Sequence, residues 1–451
     1  MFYASGGGLN VRFIGIGGIS MSALAKLTIL KGHTVTGSDL SYSKRVEELN
    51  EWGVTAVTGS DPSAVDSADL VVFNAAVPAD DPELSRAIEL NKRRISRAAF
   101  LGEIAAKYPY TVSVAGTHGK TTVTGMLASI FDCYGEAFTA HIGGELPGFG
   151  NLVYRGDNLF LTEACEYRRS FLRLNSDIAI VLNVEFDHPD CYRNLSEVYE
   201  AFENFTSDLK PGGTALINAD SEFYRMRKCA YKNALGFSVT NESDFRAVDI
   251  SLQKNGCFGF RIKRSGYPNI DIELSVPGYH NVYNALAAAA AALIYKVPPQ
   301  DIYRGLKRFT GIKGRFEYLM SFGGARIYAD YAHHPTEIRA ALQTALSLHP
   351  KRLIAVFQPH TYTRTAALAD KFIYSFCDAD AVFVFKEFAA RETGGGMTAF
   401  ELYNEMRNVR DGCFYYGDLL SLGDGLKKFV APGDVVMLIG AGDVKRLAEI
   451  L

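Results

Sequence analysis

The feature that most constrains this chain is an apolar run that leads through a short glycine-containing loop into a helical pattern. The apolar run is Tyr110–Ala115, the loop Gly116–Thr121 reads Gly-Thr-His-Gly-Lys-Thr, and the helical pattern is Thr122–Cys133. A buried strand that enters a helix through such a loop is typical of a parallel sheet with helices on both faces. The sequence therefore predicts an α/β fold whose ligands bind beyond the carboxyl ends of the strands.

The residue types of this loop predict that it binds phosphate groups. Its two glycines let backbone N–H groups point at an anion, Lys120 neutralises outer phosphates, and the Thr121 hydroxyl holds Mg²⁺. The N-terminus of the following helix favours an anion by about 0.3–1 kcal/mol. The spacing is shorter than in the common phosphate loop, and the alternative is a glycine turn with a surface lysine. The predicted nucleotide-binding residues of this segment are Gly116, Thr117, His118, Gly119, Lys120, Thr121 and Thr122.

The strand and helix signals fall into three alternating blocks, as expected for a 451-residue chain that is too long for one ordinary core. Between about 235 and 276 the pattern changes to short alternating strands, which predicts a small antiparallel flank on the middle block. We place the domains at residues 1–107, 108–312 and 313–451. The predicted strands include residues 11–16, 34–37, 70–73, 110–115, 158–162, 178–182, 258–262, 270–276, 326–329, 353–357, 381–385 and 435–439. In the third block, helices are predicted over Thr336–Leu348 and Arg364–Phe376.

Composition and charge favour a cytoplasmic protein without nucleic-acid partners. Hydrophobic residues make up 48% of the chain, charged residues 22%, and the net charge is −3. The seven cysteines, Cys229 among them, stand singly without a Cys-x-x-Cys pair, which suits a reducing compartment. The first ten residues do not resemble a signal peptide, and the longest apolar run, Ala285–Ile294, is too short to cross a membrane.

A second glycine loop follows the first predicted strand. Gly15-Ile16-Gly17-Gly18-Ile19-Ser20 resembles a dinucleotide-binding fingerprint with Ser20 in place of the third glycine, and Asp39 stands 21 residues beyond Gly18. The pattern predicts a diphosphate near a helix N-terminus and does not specify NAD. A tight strand–helix turn without any ligand is the equal alternative.

Acidic residues end two predicted strands of the middle block. Glu163-Ala164-Cys165-Glu166 ends one strand, and Asn183-Val184-Glu185-Phe186-Asp187-His188 ends the next. Both clusters should converge on the rim of the sheet that carries the phosphate loop. Oxygen ligands beside phosphates suit Mg²⁺, and the alternative is a set of solvated loop charges. The predicted metal ligands are Thr121, Glu163 and His188.

Histidine and arginine residues recur at later strand ends. His280–Asn284 opens an alanine-rich helix, Arg315–Glu317 begins the third block, and Asp330–Pro335 ends its first strand. Phe357–His360 ends the second strand of that block, with Arg364 close behind. Such side chains can contact anions and transferable groups. Taken singly, each is more often a helix cap or a buried polar residue with satisfied hydrogen bonds, so the prediction rests on their concentration at successive strand ends.

Together these motifs resemble the Mur ligases, in the order that the family shows and over nearly the whole chain. The resemblance implies a Rossmann-like N-terminal domain for a UDP-sugar, a central P-loop ATPase domain with a mostly parallel sheet, and a Rossmann-like C-terminal domain. The motifs that carry it are Gly15–Ser22, Gly116–Thr122, Glu163–Glu166, Asn183–His188, His280–Asn284, Arg315–Glu317, Asp330–Pro335, Phe357–Thr365 and Gly440–Asp443.

Within the family, the motifs are most similar to the alanine-adding branch. The resemblance implies that ATP phosphorylates the lactyl carboxylate of UDP-N-acetylmuramate and that the amine of L-alanine attacks the acyl phosphate. It implies ATP and Mg²⁺ as cofactors, with two ions and with Mn²⁺ as a substitute, in cytoplasmic peptidoglycan precursor synthesis. The expected partners are UDP-N-acetylmuramate and L-alanine, and we expect a monomer or a homodimer.

The resemblance also implies roles for individual residues, which fall into three groups. As catalytic residues it implies Lys120, Glu163, His188, His334 and Arg364. As further ATP-binding residues it implies Asn281, Asn284, Arg315 and Asp330. As substrate-binding residues it implies Gly15, Gly17, Gly18, Ser20, Glu166, Tyr331, His333 and His360.

Three positions depart from the commonest family pattern. Gly314 and Thr361 stand where many relatives have arginine, and Ala329 replaces a frequent aspartate.

Three rival functions stay open: an NAD-dependent dehydrogenase, a non-catalytic nucleotide-binding regulator, and a recycling ligase that adds a whole tripeptide to the same sugar. The phosphate loop and the acidic pair disfavour the first two, and the segment Cys165–Arg169 fits the alanine-adding branch better than the third.

Overall fold

The structure is a computed structural model that describes residues 8–227, 234–390 and 392–451, with the side chain of Arg227 excluded. Three separate sheets of five, ten and six strands, each covered by helices, form its framework. The predicted three-domain α/β architecture is therefore confirmed. Cys229 and the first seven residues lie outside the described residues. The part of the chain that the structure describes contains no helix that is both long and apolar enough to span a bilayer.

The N-terminal domain is built on a parallel sheet of strand order β3-β2-β1-β4-β5, so its glycine loop follows the central strand. The strands are β1 (Asn10–Ile14), β2 (Thr34–Asp39), β3 (Thr55–Thr58), β4 (Leu70–Phe73) and β5 (Arg93–Ser96). The helices are α1 (Ile19–Leu30), α2 (Lys44–Glu51), α3 (Pro82–Glu89), α4 (Arg97–Ala105) and a 3₁₀ helix at Pro62–Val65.

The central domain has a ten-stranded sheet of order β15-β14-β13-β12-β11-β10-β6-β9-β7-β8. Its middle is parallel, and β14, β15 and β8 pair antiparallel at the two edges, so the predicted antiparallel flank is confirmed. The strands are β6 (Tyr110–Ala115), β7 (Phe138–Leu146), β8 (Gly150–Tyr154), β9 (Leu159–Ala164), β10 (Ser176–Val181), β11 (Leu209–Asn218), β12 (Ala234–Ser238), β13 (Phe245–Leu252), β14 (Cys257–Lys263) and β15 (Ile270–Pro277). The helices are α5 (Lys120–Tyr134), α6 (Leu195–Ser207), α7 (Glu222–Arg227), α8 (His280–Ile294), α9 (Pro299–Arg308) and a 3₁₀ segment at Tyr167–Arg173.

The C-terminal domain has a six-stranded sheet of order β16-β17-β21-β18-β19-β20, in which only the β16–β17 pair is antiparallel. The strands are β16 (Glu317–Phe322), β17 (Ala325–Asp330), β18 (Leu353–Phe357), β19 (Ala381–Phe385), β20 (Cys413–Tyr416) and β21 (Val435–Ile439). The helices are α10 (Pro335–Leu346), α11 (Tyr362–Ala367), α12 (Ala369–Ile373), α13 (Ala399–Val409), α14 (Leu419–Phe429) and a 3₁₀ helix at Val444–Glu449.

One helix differs from the sequence prediction. A single helix is expected over Arg364–Phe376, but the structure has α11 and α12 with a break at Leu368, whose φ is −120°. Leu368 is buried in the same apolar cluster as Phe357 and Phe372. The break lets this side chain reach the core, so tertiary packing overrides the local helical pattern.

The alanine-rich helix α8 supports the phosphate-loop helix α5. Residues 285–292 are fully buried and, apart from Leu286, are all alanine. Alanine carries only a methyl group, so α8 can lie close against α5 and the central sheet. Side chains of all three elements form one buried and densely packed core. Packing therefore explains the alanine run.

The N-terminal domain is joined to the central domain through α1. The Lys26 Nζ donates to Asn151 Oδ1 at 3.2 Å, and the Asn151 side-chain amide donates back to the Ile19 carbonyl at 2.7 Å. Ser20 Oγ lies 2.9 Å from Nε2 of the buried His141, whose pKa burial lowers to about 4. These contacts fix the N-terminal glycine loop against the central sheet.

We predict that Arg12→Met destabilises the N-terminal domain by about 3–5 kcal/mol, because it leaves the buried Glu83 carboxylate without its cation. The Arg12 and Glu83 side chains are 2% and 1% exposed, with Nε 2.9 Å from Oε2. Urea unfolding followed at 295 nm excitation reports on this domain, because Trp52 is the one tryptophan in the chain.

The matched control is Arg86→Met, since Arg86 pairs with Asp66 at the same 2.9 Å but the two side chains are 36% and 51% exposed. An ion pair between exposed side chains contributes little to stability, so this variant should unfold nearly as the parent does. Equal losses of stability in the two variants would contradict the prediction.

Candidate active site

The phosphate loop connects β6 to α5 and depends on two glycines with left-handed backbone. Gly116 has φ of 147° and Gly119 has φ of 87°, a region that other residues rarely adopt. Asn183, which follows β10, holds the loop from the neighbouring strand. Its Oδ1 accepts from the His118 N–H at 2.7 Å, its Nδ2 donates to the His118 carbonyl at 3.1 Å, and its own carbonyl accepts from the Thr117 N–H.

A cavity of about 610 Å³ lies between the central and C-terminal domains and is bounded by this loop. Pockets of this size accommodate ligands as large as a nucleotide. Residues from α8 and from the start of the C-terminal domain complete its wall, so both domains are needed to form it. Eight predicted nucleotide-binding residues line it: His118, Gly119, Thr121, Thr122, Asn281, Asn284, Arg315 and Asp330.

The two asparagines of α8 form a short hydrogen-bonded chain in this wall. The Asn284 Nδ2 donates to Asn281 Oδ1 at 2.9 Å, and Asn281 Nδ2 donates to the Pro277 carbonyl at 2.7 Å. A Cβ at Gly119 would lie 2.6 Å from Asn284 Oδ1. The glycine therefore allows the loop and α8 to approach closely.

Asp330 and Arg315 lie on the C-terminal side of the cavity. Asp330 accepts backbone N–H groups of Phe316 and Ala332, both at 2.8 Å. Burial raises the pKa of Asp330 to about 6, although the positive charge of Arg315 acts in the opposite direction. The Arg315 guanidinium lies 4.9 Å from the centre of the Tyr331 ring.

Lys120 is the centre of a buried charge network beside the cavity. Its Nζ donates to Glu166 Oε2 at 2.9 Å, to the Thr117 carbonyl at 3.2 Å and to the Gly116 carbonyl. Burial alone would raise the pKa of Glu166, but the charges of Lys120 and His188 outweigh it and lower the pKa to about 2. Glu166 therefore stays ionised as the counter-ion of the phosphate-loop lysine.

The oxygen atoms of Thr121 and Glu163 fit a hard divalent cation. The Glu163 Oε1 accepts from the Gly143 N–H at 2.5 Å. Burial raises the pKa of this carboxyl group, and the Gly143 N–H and the Thr121 hydroxyl act in the opposite direction. A Cβ at Gly143 would lie 2.6 Å from both carboxylate oxygens, so glycine is what permits this position. The third predicted ligand, His188, has Glu166 and Asp187 as its acidic neighbours, at 3.5 and 3.6 Å.

Arg364 is engaged in a buried ion pair between domains. Its guanidinium donates to Asp187 at 2.8 and 3.3 Å and lies 2.9 Å from His360 Nδ1. The Arg364 and Asp187 side chains are each 7% exposed. Burial would raise the pKa of Asp187, but His188 and Arg364 hold it far below its ordinary value. The pair therefore joins α11 to the loop after β10.

A second interdomain cluster consists of His118, Glu185, His334 and Glu337. The His118 Nδ1 lies 3.2 Å from Glu337 Oε1, and the His118 and His334 rings are 4.6 Å apart. Burial alone would lower the pKa of His118, but the Glu337 and Glu185 carboxylates raise it to about 9. Burial and the neighbouring His118 lower the pKa of His334 to about 4.

The residues predicted to face the alanine form a row of rings that begins at Tyr331 and ends at His360, the neighbour of Arg364. His333 Nδ1 is 3.0 Å from the Tyr331 carbonyl, and the His333 and His360 rings are 5.8 Å apart. Tyr331 remains exposed, while burial lowers the pKa of His333 to about 4. The ring of His360 also stacks on Phe388 at 5.8 Å.

The N-terminal glycine loop forms a tight turn between β1 and α1. Gly15 has φ of 77°, and the Gly17 N–H donates to Asp39 Oδ2 at 2.9 Å. Asp39 therefore contacts the loop itself. Ser20 Oγ accepts from Arg97 at 3.2 Å, and the Gly18 N–H is bonded to the Gly15 carbonyl at 3.4 Å.

The three departures from the family pattern have local structural roles. Gly314 has φ of 75°, and its carbonyl accepts from the Tyr331 N–H at 2.8 Å. Ala329 belongs to β17, and its side chain is buried in an apolar cluster on one face of the C-terminal sheet. Thr361 caps α11, where its Oγ1 accepts from the Arg364 N–H at 3.4 Å.

Sequence reasoning did not assign roles to Asn183, Glu185, Asp187 and Glu337. The first three belong to the Asn183–His188 motif, so their position after a buried strand was the available signal. Glu337 stands three residues after His334, at the start of α10, where an acidic residue is ordinary helix chemistry. Its contact with His118 depends on domain packing, which no local pattern encodes.

Comparison with known families gives three matches along the chain. Residues 10–109 match the Mur ligase family catalytic domain, residues 114–292 the Mur ligase middle domain, and residues 314–442 the glutamate ligase domain of Mur ligases. A UDP-N-acetylmuramate–L-alanine ligase of Acetivibrio thermocellus is 39% identical over 98% of this chain and 95% of its own length. The chain belongs to the Mur ligase family.

Other members of the Mur ligase family agree in length and fold. A UDP-N-acetylmuramate–L-alanine ligase of Clostridium beijerinckii is 38% identical and covers 98% of this chain and 96% of its own. The UDP-N-acetylmuramate–alanine ligase MurC of Thermotoga maritima superposes with a TM-score of 0.83 at 24% identity, over 98% of both chains. A murein peptide ligase of Psychrobacter arcticus gives 0.76 at 24% identity, also over 98% of both.

We predict that Asp187→Asn loosens the contact between the central and C-terminal domains of this Mur ligase, because the Arg364 cation stays buried without its carboxylate. Loss of one partner of a buried ion pair costs about 3–5 kcal/mol. Amide hydrogen exchange in α11 should accelerate. Glu449→Gln, which breaks an exposed pair with Arg446 at 3.8 Å, is the control and should leave exchange unchanged. Unchanged exchange in Asp187→Asn would show that the pair does not hold the domains.

Proposed function

We propose that this protein joins L-alanine to the lactyl carboxylate of UDP-N-acetylmuramate, with ATP as the energy source and an acyl phosphate as intermediate. The observation that carries the proposal is the cavity of about 610 Å³ between the central and C-terminal domains, which the phosphate loop bounds and beside which Lys120 pairs with Glu166. Relatives at 38–39% identity that carry this activity in their names support it over nearly the whole chain.

The chemistry requires positioning and charge neutralisation more than covalent catalysis. A carboxylate is a poor acyl donor, and phosphorylation gives it a leaving group that the amine can displace. Lys120 would neutralise the phosphoryl group in transfer, and Arg315, which lines the cavity, would add a second positive charge. Asn281 and Asn284 would contact the adenine, and Asp330 the ribose.

We propose Thr121, Glu163 and His188 as ligands of Mg²⁺, with two ions and with Mn²⁺ as a possible substitute ion. A cation held by these residues would neutralise negative charge on the nucleotide phosphates. Glu163 fits this role because Gly143 leaves room for its carboxylate beside the Thr121 hydroxyl. His188 would join the site from the neighbouring strand end.

The remaining predicted residues would bind the other substrates. His360 contacts Arg364, and His333 and Tyr331 follow it ring by ring. These residues and His334 would bind the alanine and sugar side. The N-terminal loop of Gly15, Gly17, Gly18 and Ser20 would hold the UDP diphosphate.

We further propose that the three domains span residues 1–107, 108–312 and 313–451. We also propose a cytoplasmic location and a monomeric or homodimeric state.

The deciding experiment is an ADP-release assay with UDP-N-acetylmuramate and each of L-alanine, glycine, L-serine and a tripeptide. Release that is fastest with L-alanine supports the proposal. Release only with the tripeptide would favour the recycling ligase, whose fold is also similar to this one. ATP binding without amine-dependent release would favour a regulator, and NADH oxidation a dehydrogenase.

We predict that Lys120→Ala lowers the rate of alanine-dependent ADP release by at least about 10²–10³-fold, the usual effect of removing one preorganised charge or donor. The far-ultraviolet circular dichroism should stay unchanged, because the strands and helices remain in place, while loss of the Glu166 counter-ion lowers the stability to urea. Lys107→Ala, on an exposed turn after α4, is the matched lysine control. Retained activity in Lys120→Ala would remove the loop from phosphate binding.

We predict that Gly143→Ala and His188→Ala each raise the Mg²⁺ concentration for half-maximal activity by about tenfold or more, as do changes around metal ligands elsewhere. In the first variant the new methyl group displaces the Glu163 carboxylate. Gly417→Ala is the control, because a Cβ there meets no atom within 4 Å. An unchanged Mg²⁺ titration in His188→Ala would exclude that histidine from the metal site.

A further inference from the structure

We propose that His118, Glu185 and His334 form a separate site for a divalent transition ion such as Zn²⁺, which joins the central domain to the C-terminal domain. His118 belongs to the phosphate loop and Glu185 to the loop after β10, whereas His334 immediately precedes α10. The site is distinct from the proposed Mg²⁺ ligands Thr121, Glu163 and His188. It would add metal-dependent control of domain contact to the ligase reaction.

The positions of the ligand atoms support this site. Among the described residues these are the three His, Cys, Asp or Glu side chains whose ligand atoms all lie within 4.8 Å of one another. His118 Nε2 is 3.7 Å from Glu185 Oε1, and His334 Nδ1 is 3.8 Å from Glu185 Oε2. Tetrahedral Zn²⁺ with bonds of about 2.0–2.1 Å holds its ligand atoms roughly 3.3 Å apart. Small side-chain rotations would therefore complete the coordination.

Both imidazoles are oriented as metal ligands usually are. A metal-bound histidine typically donates its other ring N–H to a carboxylate or a backbone carbonyl. The His118 Nδ1 faces Glu337 Oε1 at 3.2 Å, and the His334 Nε2 faces the Phe186 carbonyl at 3.4 Å. With these donors in place, His118 Nε2 and His334 Nδ1 face Glu185. Metal binding there would displace the second proton of the His118 imidazolium and the Thr336 N–H, which donates to His334 Nδ1 at 3.3 Å.

The His118 Nε2 atom gives an independent indication of a missing ligand. It is buried and has no hydrogen-bond partner, although buried ring nitrogens normally have one. The Glu185 carboxylate is instead bonded to the Thr336 hydroxyl at 2.7 Å, which fixes its orientation. A cation between His118 and Glu185 would satisfy both groups.

The ligand set selects the class of ion. Two imidazoles and one carboxylate suit Zn²⁺ or Co²⁺, whereas Mg²⁺ requires a near-octahedral set of oxygen atoms. The fourth position would face the cavity, because His118 and Glu185 line it. A water molecule or a phosphate oxygen could occupy that position. Because the ligands come from two domains, the ion would hold those domains together.

The test uses tag-free full-length protein, stripped of metal and titrated with Co²⁺. We expect one equivalent to bind with the intense visible absorption of a tetrahedral site, to be displaced by Zn²⁺, and to survive millimolar Mg²⁺. Glu185→Gln, which keeps the shape of the side chain, and His334→Ala should each weaken binding by at least about 100-fold. Glu337→Gln should weaken it by about 10–100-fold, as loss of a supporting carboxylate does.

His349→Ala, which removes an exposed histidine of the same domain, is the matched control and should bind Co²⁺ as the parent does. Weak octahedral absorption in the parent, or unchanged binding in Glu185→Gln, would overturn the proposal. So would an equal loss of binding in His349→Ala. ADP release assayed with Mg²⁺ and a Zn²⁺ chelator tests the ligase activity separately, so the two proposals can fail independently.

Discussion

The ion pair of Lys120 and Glu166 is the interaction on which the site depends. A lysine buried beside a phosphate loop cannot stay charged without a counter-ion, because desolvation of an isolated ammonium is costly. Glu166 supplies that charge from the end of β9, and its own negative charge is shared with His188. The lysine therefore stays charged, and any anion that binds to it must compete with the Glu166 carboxylate.

Pairing of buried charges also continues from the central domain into the C-terminal domain. His188 neighbours Asp187, and Asp187 is paired with Arg364 of α11. The backbone is strained at two points of this path, since His188 and Thr361 have φ of 56° and 61°. Left-handed non-glycine residues cost about 1–3 kcal/mol each, and they persist where surrounding contacts fix them. Buried charge pairing at the domain junction provides such contacts here.

The sequence was informative where function coincides with the end of a strand. The strands Tyr110–Ala115 and Leu353–Phe357 have the predicted limits, and parallel pairing brings Glu163 and Asn183 to the loop's edge. The sequence did not predict the side-chain contacts that join the domains. Arg364 and Asp187 are 177 residues apart, and nothing in either local pattern specifies that they meet. Likewise, the sequence around Glu337 indicates only an acidic residue in the first turn of a helix. Its contact with His118 exists only because the two domains pack together.

The short spacing of the phosphate loop acquires a physical explanation from Asn183. A loop with fewer residues has fewer of its own backbone groups available to fix its shape. Asn183 compensates because its side-chain amide pairs with both the N–H and the carbonyl of His118, as a neighbouring strand would. The loop is thereby tied to the segment that also carries Glu185, Asp187 and His188. The loop is therefore coupled to the domain contact between Asp187 and Arg364. We expect a nucleotide that shifts the loop to shift this contact as well.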